Sequence, residues 1–174
     1  MDQSNSHIHI LIVDDEHIVR DVMHEYIQNA GYASQTVSSA EEALDLLKMN
    51  DFHVVITDIM LPGMGGLELT EIIKKKNGVD VIVITGYSNE YTYEEAINVG
   101  ASDFVIKPVR LEELLLRLKR VLKERQLTEE RTRMMQKLQK LAITDGLTKL
   151  YNSRSFYTQL ELEVDRFNRY KHPL

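Results

Sequence analysis

Cysteine is absent from all 174 residues. That excludes disulfides, thiolate metal sites and cysteine nucleophiles, and leaves packing to hold the fold. Long apolar runs are missing too. No stretch approaches the roughly 20 residues of a membrane span, and the start MDQSNSHIHI lacks the basic segment and long apolar core of a secretory signal. The expectation is a cytoplasmic protein with no membrane partner. Basic residues are scarce in one part of the chain: residues 1–109 carry 6 Lys/Arg against 18 Asp/Glu, a balance unsuited to nucleic acid. Residues 110–140 reverse it with 10 against 5, and residues 141–174 are near neutral with 5 against 4. The net charge of −6 thus conceals three different segments. With 43% hydrophobic residues the chain can bury one good core and has material left over, so one domain plus an appendage is expected.

What is present first is alternation. Short Val- and Ile-rich runs predict strands near 7–13, 33–37, 53–57, 80–84 and 103–106, several of them apolar throughout, as strands buried on both faces should be. Helices are predicted near 16–30, 40–49, 66–76, 90–99 and from 110 onward, with breaks at Gly31, Pro62-Gly63, Gly65-Gly66, Asn77-Gly78 and Gly100. Five βα units with right-handed crossovers make a doubly wound parallel sheet, an α/β fold whose ligands sit beyond the strand C-termini.

Polar residues stand where the apolar runs stop: Asp14-Asp15, Asp58, Thr85 and Lys107, with steps of 43, 27 and 22 residues from Asp15 onward. Singly, each has a plain structural reading as a loop, cap, turn or strand end. Jointly, they gather three carboxylates, a hydroxyl and an ammonium into one crevice. Carboxylates without His or Cys nearby suit a hard ion such as Mg²⁺. Lys107 can pair with Asp58 at rest and with a phosphoryl group later, and Thr85 can donate a hydrogen bond to that group. Gly86 leaves room for backbone approach. The chemistry this suggests is attack by the Asp58 carboxylate on phosphorus, giving an acyl phosphate. The histidines add no ligand spacing, since His17 and His24 lie about 10 Å apart along one helix and His7, His9, His53 and His172 form no set.

At V-D-D-E (13–16), T-D-I-M-L-P-G-M-G-G (57–66), I-T-G (84–86) and F-V-I-K-P (104–108) the chain resembles the receiver domain of two-component response regulators, over about residues 7–122. The resemblance implies a flavodoxin-like five-stranded sheet and Asp58 as phosphoryl acceptor. It implies Mg²⁺ held by Asp14, Asp15 and Asp58 with the backbone carbonyl of Met60, and Lys107 contacting the phosphoryl group. It also implies Thr85 and Phe104 as a switch pair, a cis peptide at Lys107-Pro108, and a sensor histidine kinase as phosphoryl source. Gly65 stands where many relatives carry a polar or acidic residue. The switch has a physical sense: about two negative charges and three acceptor oxygens on Asp58 pull the Thr85 hydroxyl inward and vacate volume for the Phe104 ring.

From Leu111 the pattern becomes one long helix. Leu111, Leu114, Leu118 and Val121/Leu122 step by three and four, and Met134, Leu138 and Leu141 resume after a polar stretch. A helix from 110 to about 141 would run on the order of 45 Å, so part of it needs another partner; a parallel coiled coil with a second copy fits, with a solvated amphipathic tail as the plainer option. Beyond it, Leu147, Leu150, Phe156, Leu160, Val164 and Phe167 predict a second helical face, with Asp145 or Ser153 as cap. D-G-L-T-K-L-Y-N-S-R-S-F (145–156) resembles the opening of a GGDEF domain, the diguanylate cyclase module that makes cyclic di-GMP, with Ser153 where an arginine is more usual. The resemblance places that family's catalytic residues past Leu174, so no cyclase activity is expected of this chain.

The expected organisation is a receiver over 1–122, an extended helix or coiled-coil linker over 111–142 and the start of a GGDEF domain over 143–174. The expected function is a phospho-accepting receiver that controls a diguanylate cyclase output through homodimerisation, by the receiver face and linker helix. The alternative is a stand-alone receiver acting as a protein-interaction scaffold through its helical tail. An Asp-nucleophile phosphatase is disfavoured, because Met60 stands where such enzymes need a general acid.

Overall fold

The computed structural model describes residues 5–75, 78–86, 93–144, 148, 150 and 152–170. The chain alternates β1 (His9–Val13), α1 (His17–Asn29), β2 (Ala33–Val37), α2 (Ala40–Met49), β3 (Val54–Asp58), α3 (Gly66–Lys75), β4 (Asp80–Thr85), α4 (Tyr93–Asn98), β5 (Asp103–Ile106), α5 (Leu111–Ile143) and α6 (Ser153–Tyr170). The strands form one parallel sheet in the order β2-β1-β3-β4-β5, so the direction of winding reverses between β1 and β3, where a crevice opens beyond the strand ends.

Strand periodicity explains why the runs are apolar on both sides. Ile10, Ile12, Ile56, Ile82, Ile84 and Val105 face α1 and α5, where Met23, Ile27, Leu114, Leu118 and Val121 complete one core. Leu11, Val13, Val55, Val81 and Val83 face the other way, toward Ala40 and Ala43 of α2 and Leu69 and Ile73 of α3. The N-terminus of α2 shows how local chemistry sets a boundary: Ser39 is extended and its hydroxyl accepts from the Glu42 N–H at 3.2 Å, while Glu42 reaches back to the Ser38 N–H at 3.0 Å.

The sequence expectations shift at several edges. β1 starts at His9 rather than residue 7, because a turn at 5–8 closes with Ile8 N–H donating to the Asn5 carbonyl at 2.8 Å. Asp58 and Thr85 are the last residues of β3 and β4, not the first beyond them. α4 covers 93–98 of the predicted 90–99, residues 90–92 being outside those described.

The chain divides into two compact units, Met1–Glu124 and Arg125–Leu174. In the second, α5 exposes Leu127, Met134, Met135, Leu138 and Leu141. The predicted cap of α6 is corrected. Ser153 is the first helical residue and Asn152 precedes it, its carbonyl accepting from the Phe156 N–H at 2.9 Å while its Nδ2 donates to the Ala142 carbonyl at 2.7 Å. Asp145 and Leu147 lie outside the described residues, and Leu150 precedes the helix instead of extending its face.

Candidate functional site

Strand register assembles the site. Val13 pairs with Thr57, Asp58 with Ile84 and Thr85 with Ile106, so the residues at the ends of β1, β3, β4 and β5 come level at one rim of the sheet. Lys107 follows at once, its N–H donating to the Thr85 carbonyl at 2.7 Å, and the Lys107-Pro108 peptide is cis.

At that rim Lys107 Nζ donates to Asp58 Oδ2 at 2.6 Å and stands 3.7 Å from Asp14 Oδ2 and 3.9 Å from Glu16 Oε1. Asp14 and Asp58 are buried, Asp15 is exposed, and the three offer carboxylate oxygens all within 4.8 Å of one another. Among the described residues this is the one such cluster, and no histidine joins it; His24 instead shares a hydrogen with the Ser34 hydroxyl at 2.8 Å, and His172 lies outside those residues. Asp58 Oδ1 accepts from the Met60 N–H at 3.3 Å.

The electrostatics are unbalanced. Asp14 Oδ1 accepts from the Glu16 N–H at 2.9 Å, but its buried Oδ2 has no hydrogen-bond partner. Burial above all, with the like charges of Asp58 and Asp15, holds the Asp14 carboxyl above the usual carboxylate range, against the Glu16 N–H and Lys107. For Lys107, burial alone would pull the ammonium down; the hydrogen bond and charge of Asp58, with Asp14 and Glu16, outweigh it and hold the group above its usual value. Three carboxylates around one ammonium, with an orphaned buried oxygen, fit a hard divalent cation: the donors are all oxygens and the local charge is negative.

Several contacts that shape the site carry no signal in the sequence. Gly66 N–H donates to the Ile59 carbonyl at 2.9 Å, and a Cβ at Gly66 would overlap the carbonyl oxygen of Asp58. Glu41 of α2 accepts from the Met64 N–H at 3.1 Å, tying down the loop that follows Asp58; a hydrogen bond from its own backbone N–H, and then the one from Met64, keep its carboxyl low. Arg20 donates to the Asp14 carbonyl at 2.6 Å. The Gly-Gly pair was visible as a break, but which backbone it must approach was not.

Thr85 is half-buried, with its hydroxyl donating to the Gly86 carbonyl at 2.9 Å. Phe104 is half-buried and pairs with Val83, so Thr85 and Phe104 share one face of the sheet as diagonal neighbours. Met60 exposes its side chain, as a residue contributing only backbone can. Beside the acidic cluster a cavity of about 340 Å³ is lined by Ile18, Val19, Val22 and Pro108, with Glu16 and with Lys107, which also pairs with Asp58. No helix among the described residues is long and apolar enough to cross a membrane.

Comparison with known proteins accords with this geometry. Residues 10–119 match the response regulator receiver domain. The chain is 37% identical over 110 residues to the regulatory protein VanR of Enterococcus faecium, covering 63% of this chain and 48% of that protein. It is 37% identical over 117 residues to a cyclic di-GMP phosphodiesterase of Thermotoga maritima, covering 67% and 31%. The chain therefore spans half or less of the length of these curated relatives. Among solved structures, the CheY-like receiver domain protein of Methanospirillum hungatei superposes with a TM-score of 0.66 at 32% identity, covering 70% of this chain and 98% of that one. A parallel five-stranded sheet, an acidic rim with its lysine and a family match over most of the sheet-bearing part lead to one conclusion: this chain belongs to the response regulator receiver domain family.

Proposed function

We propose that Asp58 accepts a phosphoryl group from a sensor histidine kinase and that the resulting charge controls the pairing of two copies of the chain. The observation that carries this is Lys107 Nζ at 2.6 Å from Asp58 Oδ2, beside an acidic cluster whose oxygens lie within 4.8 Å. A carboxylate oxygen of Asp58 attacks phosphorus, the P–N bond of the phosphohistidine breaks, and its electron pair returns to the imidazole. The product is an acyl phosphate. Asp14, Asp15 and Asp58, with the backbone carbonyl of Met60, are the groups that would hold Mg²⁺, which supplies positive charge against the phosphoryl oxygens. Lys107, freed from Asp58, pairs with the phosphoryl group, and the Thr85 hydroxyl turns from the Gly86 carbonyl to donate to it. Phe104 then moves into the space Thr85 leaves.

The donor protein is proposed to seat against α1. Exposed Ile18 and Val22 flank a cavity that shares Glu16 and Lys107 with the acidic rim, so a partner bound there is beside Asp58. The output is proposed to be cyclic di-GMP synthesis by a GGDEF domain beginning near residue 143, after a receiver over 1–122 and a linker helix over 111–142. The 145–156 motif supports this, as does the 37% identity over 117 residues to a relative named as a cyclic di-GMP phosphodiesterase. The exposed Leu127, Met134, Leu138 and Leu141 of α5 support pairing between copies.

Phosphoramidate labelling of the wild type and Asp58→Asn, read by intact mass and by sedimentation with and without beryllofluoride, tests this reading. One added phosphoryl group in the wild type alone, with a change in association, is expected. Equal labelling of the variant contradicts the assignment, and unchanged association contradicts the control of pairing.

A further inference from the structure

Away from the acidic rim, a second ionic cluster lies along β5. The Asp103 side chain is 2% exposed; its Oδ2 stands 2.8 Å from Nη2 of Arg120, and its Oδ1 accepts from Nη1 of Arg117 at 3.0 Å and from the Phe104 N–H at 2.8 Å. Glu113 Oε1 accepts from the other arm of Arg117, Nη2 at 2.6 Å and Nε at 2.9 Å. Two carboxylates thus fix the guanidinium, and its carbon lies 5.2 Å from the centroid of the Phe104 ring. β5 is an edge strand. Asp103 and Phe104 point to opposite faces of it, and an α5 side chain that reaches both passes round that edge.

We infer that Arg117 is a positioning residue for Phe104: the guanidinium, held by Asp103 and Glu113, keeps the ring in its present place, and travel of the ring toward Thr85 breaks this stack. The inference rests on the phosphoacceptor reading above. Its physical content is a differential interaction. The stack exists in one ring position only, so it biases the equilibrium between the two, and it couples a site at the strand ends to charges on α5. Glu113, Arg117 and Arg120 step along that helix, so departure of the ring alters the charges α5 presents. Linkage then gives a quantitative consequence. Whatever factor the stack contributes to the resting position, its removal must return as tighter binding of a phosphoryl mimic, about two- to fivefold for a partly exposed cation–π contact.

The test uses the full chain labelled with 4-fluorophenylalanine, whose Phe104 signal is assigned by its loss in Phe104→Leu. Fluorine spectra are followed as beryllofluoride is titrated in with Mg²⁺. In Arg117→Leu the resting Phe104 signal is expected part of the way toward its beryllofluoride position, and the midpoint is expected about two- to fivefold lower than in the wild type. Glu113→Gln loosens one arm of the clamp while Asp103 keeps its partners, so it is expected to move both readouts the same way by less. That variant carries the test if Arg117→Leu fails to fold. In a Phe104→Leu background, followed by retention of Mg²⁺-dependent beryllofluoride, Arg117→Leu is expected to change nothing. A wild type that responds while both variants keep its midpoint overturns the inference alone. An Arg117→Leu effect that persists without Phe104 also overturns it, because the residue would then act by another route. A wild-type ring indifferent to beryllofluoride overturns this inference together with the switch on which it rests.

Discussion

Asp14→Asn is expected to make the metal-free protein more stable. Asp14 is fully buried, and its Oδ2 has no hydrogen-bond partner. With a carboxylate oxygen within 4.8 Å of one belonging to Asp58, and with Lys107 Nζ at 3.7 Å, the repulsion at an effective dielectric near 20 is at least about 3.5 kcal/mol and the attraction about 4.5 kcal/mol. Those terms nearly cancel. What remains is the desolvation of a buried ion, several kcal/mol, offset in part by the Glu16 N–H hydrogen bond. Asparagine keeps an acceptor for that N–H and offers Nδ2 as a donor to the neighbouring carboxylates, so the variant is expected to gain about 1–3 kcal/mol. The pH dependence has a definite sign. Because the folded-state pKa of Asp14 is raised above 3.8, the folded chain holds this proton more tightly than the unfolded chain does. Wild-type stability therefore falls as pH rises through that interval, and Asp14→Asn lacks the fall. Urea unfolding with EDTA, repeated with Mg²⁺, reads both effects: the wild type should gain stability from Mg²⁺ by mass action, and the variant much less. A variant less stable than wild type in EDTA, or equally stabilised by Mg²⁺, would contradict an uncompensated buried charge at Asp14.

Three further outcomes follow from the same geometry. Gly66→Ala places a Cβ against the Asp58 carbonyl, so it is expected to cost about 1–3 kcal/mol in urea unfolding and to slow labelling by phosphoramidate. The Lys107 ammonium is held above its usual 10.5, so its pairing stabilises the fold fully below that pH and loses this contribution as pH rises through the folded value; Asp58→Asn should show a shallower alkaline loss in the same assay. Ile18→Glu, 68% exposed beside the cavity, is expected to slow phosphotransfer from a histidine kinase while leaving phosphoramidate labelling unchanged; equal slowing with both donors would place its effect inside the site.

Much of the receiver was legible because its physics is local. In β1, β3 and β4, buried on both faces, the apolar runs end in polar residues at the rim, so Asp14, Asp15, Asp58, Thr85 and Lys107 stand out together, whereas β2 reads ASQTV and carries no such signal. Boundaries blurred where a polar residue still belongs to a ladder: Asp58 pairs with Ile84 as the last residue of β3. The cap of α6 shifts from Ser153 to Asn152, residues of similar capping chemistry that the backbone hydrogen bond to the Asn152 carbonyl separates. Contacts set by the packing of whole elements were not legible at all. Glu41 lies 23 residues from Met64, and Arg117 reaches Phe104 through the rotation of α5 about its axis against an edge strand. No spacing rule connects a helix residue to a loop or strand residue of another element.

The central claim is that the Asp58 carboxylate is the atom group that accepts phosphorus. Treating the phosphoramidate-labelled chain with borohydride, which reduces an acyl phosphate to an alcohol, and locating the altered residue by peptide mass spectrometry tests it directly. Homoserine is expected at position 58 and at no other aspartate. Reduction at a different residue, or a wild-type chain that takes up no label in the presence of Mg²⁺, would contradict it.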